Sequence, residues 1–168
     1  MNWLSVASYP TWEIKLNMRL IAHRGNISGK NTETENEPNH ILNLLDRGVE
    51  CEIDIHFTED WKMWLGHDEP QYKFNINDFY KYNHLLWVHV KSFESNSQFV
   101  LLDEFNYFIQ EQEPYSVTSF KQLWTNVGIK CVPTLSVAVM PEIKEPENLH
   151  EAIAICTDDF RLWDKYVS

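Results

Sequence analysis

The stretch VECEIDIHF, residues 49–57, decides the fold. Val49, Cys51, Ile53, Ile55 and Phe57 alternate with Glu50, Glu52, Asp54 and His56, the period of two that sends β-strand side chains to opposite faces. One face suits a core. On the other, Glu52 and Asp54 project side by side, about 7 Å apart at the Cα level. Two such carboxylates repel, and burying them costs more still. A divalent cation removes both difficulties, and hard carboxylate oxygens suit Mg²⁺ or Ca²⁺. Taken alone, the pair favours a solvated strand face with salt bridges.

Upstream, residues 19–23 read as a short buried strand ending in His23 and Arg24, and a polar loop runs from Gly25 to Asn36. Pro38 opens a helix in which Ile41, Leu42, Leu44 and Leu45 recur at helical spacing until Gly48. Downstream, 61–67 suggests a short hairpin or loop strand. Phe74–Tyr82, introduced by Asn75 or Asn77, 94–104 and the tail 159–167 read as helices, and 85–90, 106–110, 115–119, 122–125, 134–139 and 152–156 as strands. Strands alternating with helices early in the chain, and the doubly apolar run at 134–140, predict an α/β fold with a parallel sheet.

The 168 residues fit one domain at 18–168, preceded by an extension at 1–17. Hydrophobic residues make up 43% of the chain, enough for a sizeable core. The net charge of −11 and the lack of any Lys/Arg block argue against nucleic acid or an anionic membrane as partner, so phosphate chemistry would need a metal and local cations. Cys51, Cys131 and Cys156 form no CxxC pair and read as buried thiols of a reduced, cytoplasmic protein. The opening lacks the build of a secretory signal, and no window reaches the length of a membrane span. Oligomeric state is not legible in the sequence.

Histidines able to exchange protons, an arginine fork for phosphate and a carboxylate pair for a metal make a coherent set. In order, IAHRGN, ENEPNHILNLLDRG, ECEIDIHFTED and LGHDEP resemble the glycerophosphodiester phosphodiesterase family, whose pattern runs HRG, PEN, a helix to a glycine, ExD, TxD and HD. Thirteen residues separate Glu35 from Gly48 and thirteen separate Asp54 from His67, as in that family. WVHVK at 87–91 stands where the family has Glu-x-Lys, and IAICTDD at 153–159 resembles its closing Gly-x-x-Thr-Asp strand.

The resemblance implies a metal-dependent hydrolase of a small phosphodiester. It makes His23 and His67 the general acid and base, Arg24 the phosphate ligand, Lys91 the cation opposite developing charge, and Glu52 and Asp54 two metal ligands. The family's third metal carboxylate is replaced by His89, which shifts preference toward Mn²⁺ or Zn²⁺. Thr34 replaces the proline of PEN, and Trp61 stands where a glycine is expected. Glu35, with its neighbour Asn36, would hold the first loop, and His56, Glu142 and Asp158 would support the site. His40, His84 and His150 read as surface residues, and Trp124 or Trp163 as a border of the site. Two alternatives follow the same residues: a sphingomyelinase D-like lyase releasing a cyclic phosphate, and a non-catalytic module binding phosphate or sugar phosphate. The family's (β/α)₈ barrel takes about 250 residues. The expectation here is a reduced barrel that keeps its strands, loses helices in its C-terminal half, or is open on one side.

Overall fold

Where the sequence alternates apolar and polar residues the chain is extended, and the computed structural model, which describes residues 18–94 and 96–166, gathers ten strands there into one sheet. They are β1 (Arg19–Ala22), β2 (Glu50–Phe57), β3 (Met63–Leu65), β4 (Tyr72–Phe74), β5 (Leu86–Ser92), β6 (Asn106–Phe108), β7 (Tyr115–Val117), β8 (Leu123–Thr125), β9 (Ser136–Val139) and β10 (Ala154–Thr157). The eight strands expected from the sequence are present, with ends shifted by at most two residues. The expected extension at 1–17 lies outside the described residues.

Seven strands run parallel in the order β6-β5-β2-β1-β10-β9-β8, with β7 antiparallel on β8. β1 is short and pairs only with the start of β2. The end of β2, Ile55–Phe57, therefore has a free edge, and β3 occupies it antiparallel, with β4 beyond. At the two ends of the parallel row, β6 and β8 meet through side chains. Asn106 Nδ2 donates to Gln122 Oε1 at 3.0 Å, Gln110 Nε2 to the Trp124 carbonyl at 3.3 Å, and the Phe108 and Trp124 rings stack with centroids 4.3 Å apart.

Both faces of the sheet are covered, as parallel strands require. Cys51, Ile53, Ile55, Val88 and Val90 pack with Ile41, Leu44 and Leu45 of a helix, α1 (Pro38–Asp46). On the opposite face Ile21, Trp87, Phe108, Trp124, Val137 and Cys156, one from each of six parallel strands, meet in one cluster. The polar side of β2 points the same way as this second cluster, so Glu52, Asp54 and His56 are as buried as the apolar residues between them. The three cysteines are free and buried.

α1 begins where the sequence predicts. Pro38 occupies its first turn, and the Glu37 carboxylate caps it, accepting from the backbone N–H groups of Asn39 at 3.1 Å and His40 at 2.6 Å. The expected helices at 74–82, 94–104 and 159–167 are instead 3₁₀ segments at Ile76–Leu85, Asn96–Leu102, Phe160–Leu162 and Asp164–Tyr166, and Phe74 belongs to β4. The first has a visible cause: Ile76, Phe79 and Tyr82 are its buried residues, three apart, which matches three residues per turn.

Among the described residues no helix is long and apolar enough to cross a membrane. Gly25, at the end of β1, sits at φ +85°, and a Cβ there would lie 2.5 Å from Ile41 Cδ1 and 3.2 Å from His40 Cδ2. Gly25→Ala should therefore cost about 1–3 kcal/mol of stability, read as a lower urea midpoint at unchanged slope.

Candidate functional site

Parallel strands place their C-terminal ends on one edge of the sheet, and the chemistry-bearing residues collect there. His23 and Arg24 follow β1, Glu52 and Asp54 lie in β2, His89 and Lys91 in β5, Glu142 comes three residues after β9 and Asp158 directly after β10. Register does the alignment: Asp54 stands opposite His89 across β2 and β5, and Ala22, just before His23, stands opposite Cys51 and Thr157.

Glu52, Asp54 and His89 bring one donor atom each to within 4.8 Å of one another, the group with metal-holding geometry among the described residues. His89 Nδ1 lies 3.1 Å from Asp54 Oδ1 and 3.8 Å from Glu52 Oε1. Its other nitrogen, Nε2, is 2.9 Å from the Gln110 carbonyl, which can only accept, so Nε2 donates there and Nδ1 is the ring atom turned toward the two carboxylates. This is the outer hydrogen bond that orients histidine ligands. Phe108 stacks beneath the same ring, at 4.8 Å between centroids, and rests on Trp124.

The carboxylates are only partly satisfied. Glu52 Oε2 accepts from the Arg24 N–H at 3.1 Å. Asp54 Oδ2 accepts from Asn36 Nδ2 at 3.0 Å, and the Asp54 N–H donates to Asn36 Oδ1 at 2.9 Å. Asp54 Oδ1 is buried without an aligned donor. Burial, then the charge of Asp54, raises the pKa of Glu52 above its ordinary value. Burial also pulls Asp54 upward, but His89, Arg24 and Asn36 outweigh it and hold that carboxyl well below its ordinary value. Arg24 Nε lies 3.1 Å from Asp54 Oδ2 and its NH1 3.6 Å from Glu35 Oε2. Glu35 thus ties Arg24 and Asn26 together, and Asn36 holds Asp54 itself.

His23 Nδ1 lies 2.9 Å from Asp158 Oδ1, which also accepts from Asn26 Nδ2 at 2.8 Å; Asn26 Nδ2 reaches Glu35 Oε1 at 2.9 Å as well. With Nδ1–H spent on Asp158, Nε2 of His23 is left for the site. Burial lowers the His23 pKa, but Asp158 and Glu52 outweigh it, and the net direction is upward. Asp158, lifted by burial, is brought below its ordinary value mainly by His23. Glu142 Oε1 accepts from Thr157 Oγ1 at 2.6 Å and from the Asp158 N–H at 3.1 Å, while its Oε2 is buried with no partner. Trp163 donates to that same Thr157 hydroxyl at 3.1 Å.

His67 arrives by a different route, on the loop after β3. Gly66 N–H donates to the Asp54 carbonyl at 3.2 Å, and the Gly66 carbonyl is held by His56 Nε2 at 2.9 Å, whose Nδ1 meets Ser92 Oγ at 3.0 Å. A Cβ at position 66 would lie 2.1 Å from the Glu69 carbonyl oxygen, so the tight path needs glycine. His67 Nδ1 bonds Asp68 at 2.7 Å. Partial burial, with Arg24 and Lys91, lowers the His67 pKa against the pull of Asp54 and Asp68.

Three cavities adjoin along this edge, of about 640, 500 and 440 Å³. The first and second share Arg24 and Lys30; the second and third share His67. Lys91 lines the third together with His89. One expected surface residue is not one: His40 Nε2 bonds the Gly25 carbonyl at 2.9 Å, tying α1 to the turn that bears His23, while His84 and His150 are exposed. Asn26, Lys30 and the Gln110 carbonyl were not singled out by sequence. Asn26 stands directly after the HRG triplet and could have been suspected; a backbone carbonyl has no residue signature.

The Asp158–His23 pair predicts a stability window. The raised His23 contributes stability fully present below its ordinary 6.5 and lost as pH rises through its higher native value; the lowered Asp158 contributes stability present above its ordinary 3.8 and lost as pH falls through its lower native value. Asp158→Asn should therefore destabilise most near pH 5, least above pH 8, and lower the His23 pKa in an imidazole NMR titration. Searches against family models, curated proteins and solved structures return no match to this chain.

Proposed function

We propose that the chain is a metal-dependent phosphodiester hydrolase built on a reduced (β/α) barrel and resembling glycerophosphodiester phosphodiesterases. The observation that carries this reading is the buried Glu52, Asp54 and His89 cluster, set on the same strand-end edge as two histidines with separate buttresses. Support for the barrel comes from the seven parallel strands, the side-chain links between β6 and β8, and the inner cluster fed by six strands. Functional groups at C-terminal strand ends are the rule for such barrels.

The residues fit a divalent ion. Glu52, Asp54 and His89 turn one donor atom each into a space within 4.8 Å, His89 Nε2 is held outside by the Gln110 carbonyl so that Nδ1 faces in, and Glu52 is buried beside a second carboxylate. Two oxygens and one imidazole nitrogen suit Mg²⁺ or Ca²⁺ less exclusively than three carboxylates would, and admit Mn²⁺ or Zn²⁺. When bound, such an ion offsets the carboxylate charge and polarises a phosphoryl oxygen.

Arg24, at the meeting of the first two cavities, would bind the phosphate, and Lys91 would face it from the third. The opposite pulls on the two imidazoles favour a division of labour. His67, with Nδ1–H on Asp68, takes the proton of the attacking hydroxyl at Nε2 as oxygen closes on phosphorus. His23, protonated and held by Asp158, gives its Nε2 proton to the departing alkoxide. Glu142, accepting from the Thr157 hydroxyl and the Asp158 N–H, fixes the backbone that carries Asp158 beside His23.

Turnover of bis(p-nitrophenyl) phosphate should appear with Mn²⁺, Mg²⁺ or Ca²⁺ and vanish with chelator; folded protein inactive with all three would contradict hydrolysis. His23→Ala and His67→Ala should each lower kcat by about 10²–10⁴-fold with Mn²⁺ affinity retained. Glu52→Gln should weaken Mn²⁺ binding in calorimetry by more than the roughly 10–100-fold typical of losing an outer-shell partner.

A further inference from the structure

The two cavities that share Arg24 differ sharply in what lines them. The larger, about 640 Å³, sets an aliphatic wall of Val127, Val139, Met140, Ile143 and Leu162 opposite a charged rim of His23, Arg24, Lys30, Glu142, Asp158 and Asp159. These aliphatic side chains come from three places: the loop after β8, the end of β9 with the loop that follows, and the last 3₁₀ segments. The neighbouring cavity of about 500 Å³, on the His67 side, has no aliphatic or aromatic residue in its lining. Its volume and that of its neighbour both fall in the range of small-molecule sites, about 300–1,000 Å³.

A phosphodiester has two ester arms on one phosphorus. With the phosphate at Arg24, one arm enters the aliphatic cavity past His23 and the other the polar cavity past His67. Ile143 and Leu162 are 67% and 53% exposed, an arrangement of large aliphatic side chains at a cavity mouth that a chain-like ligand would cover. Met140 is held at φ +45°, its N–H donating to the Cys156 carbonyl at 2.8 Å, so this wall is fixed by backbone pairing to β10.

We propose that the substrate is an asymmetric phosphodiester whose leaving arm, on the His23 side, is an aliphatic alcohol, and whose other arm is polar. This rests on the phosphodiesterase reading above and names the substrate class for it. The aliphatic arm supplies binding energy next to the proton donor, and the polar arm meets Thr32, His67 and Gln71.

The test is calorimetric binding of methyl, butyl and octyl phosphate, in Mn²⁺ and below micelle-forming concentrations, to the wild type and to the uncharged double variant Ile143→Ser, Leu162→Ser. Both positions are exposed and outside the proposed catalytic set, so folding should survive. The expected result is octyl phosphate binding more than about tenfold tighter than methyl phosphate, a gain that two buried methylenes suffice to give at about fourfold each. The double variant should lose that gain and keep the methyl phosphate affinity. Equal affinities along the series, or a gain that persists in the double variant, would overturn the aliphatic arm while leaving the phosphodiesterase reading standing. Failure of methyl phosphate itself to bind would overturn both.

Discussion

Two carboxylates buried on one face of one strand are the constraint around which this protein is arranged. Glu52 and Asp54 are 2% and 1% exposed, and nothing in an apolar interior tolerates both charges without compensation. The chain brings Arg24 from the end of β1, His89 from the next strand and Asn36 from the first loop to meet them, and still leaves one oxygen of Asp54 without a donor. The surrounding structure can be understood as what holds those partners in place. Strand register sets His89 opposite Asp54, the Gln110 carbonyl fixes which ring nitrogen faces inward, and the Phe108–Trp124 stack supports the ring from below.

Histidine is used here in two different ways. His40 and His56 fasten backbone carbonyls, those of Gly25 and Gly66, at the two turns that deliver His23 and His67. His23 and His67 each spend one nitrogen on an aspartate and keep the other. The overall acidity of the chain is compatible with an anionic substrate because Arg24, Lys30 and Lys91 line the cavities along this edge.

Much of the strand framework was legible, because alternation in β2 and the apolar runs of β5, β9 and β10 reflect burial directly. The helix expected at Phe74–Tyr82 is a 3₁₀ segment at Ile76–Leu85 capped by Asn75, and the spacing of three between Ile76, Phe79 and Tyr82 is the feature that separates the two kinds of helix. β4 escaped because three residues of mixed polarity, Tyr72–Phe74, become a strand only through pairing with β3. Glu52 and Asp54 were legible from their chemistry at a spacing of two, and His89 only through the resemblance of WVHVK to a Glu-x-Lys strand. The partners that orient them were not: Asn26 lies 132 residues before Asp158 and reaches it only through the β1–β10 pairing. Long-range contact of that kind is a property of the sheet and leaves no local pattern.

The central claim is that Glu52, Asp54 and His89 share one cation. Anomalous diffraction at the manganese edge, from crystals soaked in MnCl₂, tests it most directly. The account predicts a peak bonded to Glu52, Asp54 and His89 Nδ1 at about 2.0–2.3 Å. A well-ordered site with no peak there, His89 Nδ1 hydrogen-bonded straight to Asp54 and manganese only on surface carboxylates, would contradict it.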